Sequence, residues 1–251
     1  MSLALFDLTL PVLLLVWGIT AGAALLRAFT GFGFALVAVP AYALFFAPGE
    51  AVVLCSSLVV ILGVQTFPVY RHAMDLRQRW PLFAAALPGT VFGALMLRWL
   101  DPQQFRLSLG VLTILASLLL ARFRPSRTAA SPQLAGMVGL ASGFCNGAFA
   151  VPGPPVIVYV MATESDPARS RGLMIGFFSF SGLLALCSFF VLGFVSQRTL
   201  LLALLAYPAM YAGDRLGYLA FLRYGARQYR PVAIALCLAI GVAITLRALA
   251  G

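Results

Sequence analysis

Long stretches of this chain contain no charged residue, and they restrict the fold more than any other feature of the sequence. The longest cover residues 8–26, 28–49, 51–70, 80–97, 128–163 and 172–197. A helix needs about 20 mainly apolar residues to cross the hydrocarbon core of a bilayer, so most of these stretches are long enough to span it. Only 10% of the residues are charged, against about 25% in ordinary soluble domains. The sequence therefore predicts an all-α polytopic membrane protein with no room for a separate soluble domain.

The apolar runs predict about ten transmembrane crossings. These are residues 8–26, 30–47, 51–69, 80–98, 105–122, 133–150, 152–163, 172–194, 199–221 and 230–248. Arginines indicate the orientation, because cytoplasmic loops carry an excess of positive charge. With ten crossings, four of the 17 arginines (Arg98, Arg106, Arg198 and Arg247) share the face of the N-terminus, and the other thirteen lie opposite. A single crossing over 128–163 would make the two faces nearly equal, so we expect two crossings there and both termini in the periplasm.

The two halves of the chain resemble each other around segments that are broken by glycine and proline. One runs from Gly31-Phe32-Gly33 to Pro40, and the other runs from Asn146-Gly147 to Pro154-Pro155. Glycine frees the backbone and proline interrupts helical hydrogen bonds, so we expect broken or re-entrant helices at both segments. Matched residues are separated by 114 positions (Gly33 and Gly147, Pro40 and Pro154, Glu50 and Glu164) or by 120 positions (Pro88 and Pro208, Gly93 and Gly213).

This duplication predicts two repeats of five helices each. The predicted boundaries are 1–124 for the first repeat, 125–132 for a cytoplasmic linker and 133–251 for the second repeat. An odd number of crossings inverts the second repeat relative to the first. Inverted repeats are typical of secondary transporters, which expose a central site to each side of the membrane in turn. Some channels are duplicated in the same way, so an anion channel is an alternative.

Candidate binding residues cluster at the two broken segments. The N-terminus of a short helix presents unpaired N–H groups and a partial positive charge, which suit a small anion. Thr30 and Asn146 would add side-chain donors there, while Ser56, Ser57 and Gln65 are polar groups in an apolar segment. The alternatives are close helix packing for the glycines and hydrogen bonds within the same helix for the hydroxyls. The predicted substrate-binding residues are Thr30, Gly31, Phe32, Gly33, Ser56, Ser57, Gln65, Asn146, Gly147 and Pro154.

Few ionisable groups lie where they could take part in transport. Asp214, which is predicted near the cytoplasmic face, and Arg71 are candidates for coupling or gating. His72 lies in a basic loop and is expected to be solvated. Glu50 and Glu164 are expected to cap helices. The four cysteines are isolated and lack C-x-x-C spacing, so we predict neither a metal site nor a cofactor.

At these residues the chain resembles the TauE/SafE sulfite exporter family of anion transporters, also called the TSUP family. The resemblance rests on the segments ending in Val39-Pro40 and in Pro154-Pro155, on Cys55-Ser56-Ser57 followed by Tyr70-Arg71-His72, and on Leu87-Pro88-Gly89 with Gly93, matched by Tyr207-Pro208 with Gly213 and Gly217. It covers about residues 10 to 248. The resemblance implies movement of sulfite, sulfoacetate, other organosulfonates or similar small anions across the inner membrane. Family members often carry a denser Gly-Gly-Gly run where this chain has Phe32 and Asn146.

These observations favour a secondary transporter that exports a small anion by alternating access. The inside-negative potential drives an anion outward by about 2.3 kcal/mol per charge per 100 mV. We expect the protein in a bacterial inner membrane, with lipid and a small anionic substrate as partners and without nucleic acid; a homodimer is compatible with the sequence. The alternatives are an anion channel, a permease for another small carboxylate and the permease subunit of an ATP-driven complex. An intramembrane enzyme is disfavoured, because the histidine lies in a loop and the carboxylates are scattered.

Overall fold

The computed structural model describes residues 9–30, 33–70, 76–122, 129–224 and 226–249. Over these residues the chain forms ten α-helices and no strand, which confirms the all-α prediction. Each helix overlaps one of the ten predicted apolar segments. The helices are α1 Leu10–Thr30, α2 Phe34–Ala43, α3 Pro48–Tyr70, α4 Leu76–Trp99, α5 Pro102–Arg122, α6 Pro132–Phe149, α7 Gly153–Thr163, α8 Pro167–Val191, α9 Gln197–Tyr224 and α10 Ala226–Leu249.

Five of the described helices contain a stretch that is long and apolar enough to cross a membrane. These stretches are Leu10–Ala28, Pro48–Pro68, Arg79–Trp99, Pro102–Arg122 and Arg169–Val191. Three further apolar stretches are shorter, namely Phe34–Ala43, Gly153–Thr163 and Ala235–Leu249. The helices are therefore those of a multi-pass membrane protein, whereas ten crossings and an inverted second half stay predictions.

Two of the helices, α2 and α7, are only about half as long as a bilayer is thick. They contain 10 and 11 residues, which is about 15 Å of helix, whereas the hydrocarbon core is about 30 Å thick. Gly33, just before α2, has φ 102°, and Ala150, between α6 and α7, has φ 53°. These left-handed conformations end one helix and redirect the chain into the next. The helices are thus interrupted at both glycine–proline segments, as the sequence predicts.

The predicted spacing of 114 residues between matched positions of the two halves does not agree with the spacing of the helices. The ends of α1 and α6 are 119 residues apart, and so are the starts of α3 and α8. As a result, Gly33 precedes α2 whereas Gly147 lies inside α6, and Pro40 lies inside α2 whereas Pro154 lies in the first turn of α7. Each break lies between a long helix and a short one, but Gly33 has the left-handed conformation at the first, whereas Ala150, which is followed by prolines, has it at the second. Matching glycine to glycine therefore misaligned the halves by five residues.

The same correction applies to the two glutamates at the spacing of 114. Glu50 lies in the first turn of α3, where a carboxylate interacts favourably with the helix dipole. Glu164 is instead the residue that follows the last turn of α7. Their positions are not equivalent.

The main helix contacts join the first half of the chain to the second half. α4 packs on α6, α1 on α9, α5 on α10, and α3 on α8. Glycines bring the first of these pairs close together, because Gly139, Gly143 and Gly147 of α6 lie against the backbone carbonyls of Leu82, Ala86 and Thr90 of α4. Gly213 of α9 lies in the same way against the carbonyl of Ala21 in α1. The two sequence halves are therefore interleaved in space, while the predicted boundaries at 124 and 133 stay predictions.

Ion pairs also connect the two halves. Their nitrogen–oxygen distances are 2.6 Å for Arg27–Asp214, 3.6 Å for Arg79–Glu164 and 2.9 Å for Arg198–Glu50. Arg79 also donates to the hydroxyl oxygens of Tyr159 (3.2 Å) and Thr163 (3.0 Å). These pairs tie α1 to α9, α4 to the end of α7, and α9 to the start of α3.

Candidate functional site

A pocket lies where the N-termini of α2 and α7 meet α3, α8 and the end of α6. It contains about 660 Å³ of space, including the part that opens to the surroundings. Along α3 its lining extends from Ser56 to Thr66, which are ten residues or about 15 Å apart. Most of the lining is apolar, with side chains such as Phe34, Val59 and Phe178.

The N-terminus of α2 supplies a row of backbone donors to this pocket. The first hydrogen bond of this helix runs from the N–H of Val37 to the carbonyl of Gly33, at 3.3 Å. The N–H groups of Gly33, Phe34, Ala35 and Leu36 therefore have no partner within α2. The same four residues line the pocket, and no side chain of the described residues caps the helix. Unpaired N–H groups and the positive end of the dipole make this a suitable site for an anion.

The opposite end of α2 is neutralised by a cation. Nε of Arg106 in α5 donates to the carbonyl oxygen of Ala43, the last residue of α2, at 2.9 Å. A positive charge there interacts favourably with the negative end of the helix dipole. The polarity of α2 is thus compensated at the end away from the pocket and left uncompensated at the pocket.

The N-terminus of α7 contributes much less, although the sequence predicts two comparable ends. Pro152, Pro154 and Pro155 have no N–H group. Ala150 and Val151 also line the pocket, but their N–H groups already donate to carbonyls of α6. Among the described residues at the start of α7, Gly153 therefore supplies a single N–H group without a partner within the helix. The start of α2 supplies four such groups. The site is asymmetric, and α2 is its principal donor.

Polar side chains in the pocket differ in how well they are satisfied. The hydroxyl groups of Thr66 and Ser179 each donate to a carbonyl of their own helix at 2.8 Å. Asn146 uses its Nδ2 to donate to the carbonyl of Ser181 at 2.5 Å, and it is 2% exposed. Ser56 is equally buried, yet its Oγ has no hydrogen-bond partner in the described part of the chain. Ser57 and Ser142, which do not line the pocket, are also buried without a partner in the described part of the chain. Ser56 differs from them in lying at the pocket, where its hydroxyl is available to a ligand.

Arg27 brings a positive charge to the pocket. Of the described residues that line it, Arg27 is the charged one, and neither aspartate nor glutamate is among them. Its Nη1 donates to Oδ1 of Asp214 in α9 at 2.6 Å. The charge of the pocket is therefore positive or neutral, depending on how far Asp214 compensates Arg27.

The structure brings together some of the predicted site residues and separates others. Gly33, Ser56 and Asn146 line the pocket, and Asp214 pairs with Arg27. Ser57 is buried but does not line the pocket, and Gln65 is exposed on α3. Gly147 and Pro154 do not line the pocket either, because Gly147 packs on α4 and Pro154 is buried in the first turn of α7. The remaining predicted residues lie outside the part of the chain that the structure describes: Gly31, Phe32, Arg71, His72 and the side chain of Thr30.

Sequence reasoning missed Arg27, which it counted only as a cytoplasmic loop charge. A signal was present, because Arg27 alone separates two charge-free runs, 8–26 and 28–49, directly before the first glycine segment. A lone charge between two such runs is costly in a membrane unless it has a function.

Comparison with known proteins identifies one family. The family model described as "Sulfite exporter TauE/SafE" matches residues 14–244, nearly the whole chain. No curated protein and no solved structure matches the chain.

Proposed function

Because the chain belongs to the TauE/SafE sulfite exporter family, we propose that it exports a small anion, such as sulfite or an organosulfonate, by alternating access. The observation that carries this proposal is the meeting of two sets of donors in one pocket: four N–H groups at the start of α2 that have no partner within that helix, and the hydroxyl of Ser56, which has no partner in the described part of the chain. All of these groups donate hydrogen bonds, and an oxyanion accepts several at once. A cation would find no carboxylate among the described lining residues.

Alternating access is supported by the pairing of the helices. Let each of the first five helices correspond to the helix five places later, so that α1 corresponds to α6 and α4 corresponds to α9. Exchanging all corresponding helices converts the α4–α6 contact into the α9–α1 contact, and it leaves the α3–α8 and α5–α10 contacts unchanged. A pseudo-two-fold relation of this kind is typical of transporters that use inverted repeats. Two related arrangements of the same contacts then open the pocket to opposite sides.

The ion pairs support ten crossings, which place both termini on the same face of the membrane. In the ten-crossing topology, the two partners of Arg27–Asp214, Arg79–Glu164 and Arg198–Glu50 lie on the same face of the membrane. A single crossing over 128–163 would move Glu164, Arg198 and Asp214 to the opposite face from their partners. Two crossings in this segment keep every pair together.

Export is favoured by the charge of the substrate and by the composition of the pocket. The membrane potential alone expels an anion, at about 2.3 kcal/mol per charge per 100 mV. Uptake would need a coupled cation, and no carboxylate lines the pocket among the described residues. We therefore assign the protein to the bacterial inner membrane as an exporter driven by the potential.

The experiment is transport in proteoliposomes loaded with radiolabelled sulfite. We expect flux that rises with the applied potential and accelerated exchange when unlabelled anion is present on the opposite side. Accelerated exchange requires alternating access, so its absence together with a high single-molecule conductance would assign the protein to the channels instead. Asn146→Leu, which removes the amide beside the pocket, is expected to abolish flux in folded protein. Normal flux in that variant would refute the proposed site.

A further inference from the structure

Arg27 is held at the pocket by a rigid contact between two helices. Its side chain is 11% exposed and that of Asp214 is 26% exposed. Gly213, the neighbour of Asp214, packs directly on the backbone of α1, the helix that carries Arg27. Trp17 of α1 further donates from Nε1 to the carbonyl of Leu205 in α9, at 2.8 Å. Asp214 is thus a positioning residue for Arg27.

The charges at the pocket sum to less than one positive charge. Arg27 and Asp214 cancel each other. The N-terminus of α2 contributes about half an elementary charge, and that of α7, which has a single free N–H group in its first turn, contributes less. Arg171, which also repels Arg27, is exposed at the start of α8, so water screens its charge. The site can therefore compensate at most one negative charge.

We propose that Arg27, neutralised by Asp214, makes this pocket selective for oxyanions that carry a single negative charge. This inference rests on the proposed function and narrows its substrate. A dianion would bring a second charge into mainly apolar surroundings, where an uncompensated charge is costly. A monoanion leaves little charge uncompensated by the helix ends, mainly that of α2, while the spare N–H groups of the Arg27 guanidinium can still donate to it.

The proposal divides the candidate substrates into two groups. Hydrogen sulfite and sulfonates with one ionised group carry one charge and fit the site. Sulfite itself carries two charges, and so does sulfoacetate, which has a carboxylate in addition to its sulfonate. The apolar walls formed by residues such as Phe34 and Phe178 accommodate the organic part of a monovalent sulfonate.

The test compares methanesulfonate with sulfate, whose charges are one and two at neutral pH. Each anion is titrated as an inhibitor of labelled flux and as a stabiliser of the purified full-length protein. In the wild type, methanesulfonate should bind at least about tenfold more tightly than sulfate, a ratio that corresponds to roughly 1.4 kcal/mol.

The decisive variants remove the charge of Asp214. Asp214→Asn leaves Arg27 uncompensated, so the preference for methanesulfonate should fall by about tenfold or reverse. Asp214→Ser removes the same charge and is used if the first variant does not fold. The double variant Arg27→Gln/Asp214→Asn is the matched control, because its net charge equals that of the wild type and it should keep the preference for the monoanion. The two anions differ in hydration free energy, but this difference is the same for every variant. It therefore cancels when the ratio of the two affinities is compared between variants.

The outcomes separate this inference from the proposed function. The inference is overturned if the ratio of the affinities for methanesulfonate and sulfate is the same in the wild type and in the folded Asp214 variants. A purely structural role of Asp214 would change both affinities equally and would leave this ratio unchanged. A wild type that prefers sulfate would overturn it as well. If neither anion inhibits flux or stabilises the wild type, the anion pocket itself is refuted.

Discussion

Removal of a single backbone N–H group at the start of α2 is the sharpest test of the anion site. Ala35 occupies the second position of the helix and lines the pocket. Replacing it with proline removes its N–H group, which has no partner within the helix, so α2 loses no hydrogen bond of its own. α7 shows that this fold accepts prolines at the same place, because Pro154 and Pro155 fill its second and third positions.

The expected loss follows from the strength of a hydrogen bond to a charged acceptor. Such a bond contributes about 1.5–3 kcal/mol, and every 1.4 kcal/mol changes an affinity about tenfold. Ala35→Pro should therefore weaken binding of methanesulfonate by about 10- to 100-fold while the unfolding temperature of the free protein changes little. Binding is measured by inhibition of flux in proteoliposomes and by thermal stabilisation in detergent.

Ala35→Val is the matched control for this variant. Valine adds the same number of carbon atoms as proline but retains the N–H group, so it reports the effect of bulk alone. We expect Ala35→Val to bind the anion several-fold more tightly than Ala35→Pro. Equal affinities in the two variants would refute the assignment of the α2 N–H groups to the anion.

Two further predictions concern stability. Gly143→Ala should destabilise the protein by about 1–3 kcal/mol, because a Cβ there meets the Ala86 carbonyl; Gly136→Ala, on the same helix with open space around it, should be neutral or stabilising by up to about 1 kcal/mol. The temperature of thermal unfolding should fall for Gly143→Ala and should stay the same or rise for Gly136→Ala. An equal loss of stability in the two variants would contradict the close packing of α6 on α4. Glu164→Gln should cost about 1–3 kcal/mol because Arg79 is buried, whereas Glu50→Gln, whose pair is about one-third exposed, should cost at most about 1 kcal/mol; denaturation of both variants side by side checks this order.

Hydropathy and charge were enough to predict the helices but not their partners. The ten apolar runs each correspond to a helix, because length and absence of charge are local properties of the chain. Partners depend on contacts between residues far apart in sequence, such as Trp17 and Leu205. No local pattern identifies α9 as the main partner of α1.

The candidate site was predicted in part, and the errors have a common cause. Asn146 and Ser56 were chosen as polar groups in apolar segments and Gly33 as part of the first glycine–proline segment, and all three line the pocket. Gly147 was chosen as the counterpart of Gly33 in the second segment, yet it faces α4 because a helix turns about 100° per residue. The difference between the two helix ends was also missed, although it could have been inferred from the prolines at 152, 154 and 155, which remove donors.

The interleaving of the two halves has a consequence for how the protein is made. Of the described helices, α1 is synthesised first, but the helix it packs against, α9, is the ninth to be made. The glycine-lined face of α6 likewise meets α4 only after α5 has been made. During synthesis the early helices therefore remain in lipid without their final neighbours, and α1 acquires its main contacts only after α9 has been made.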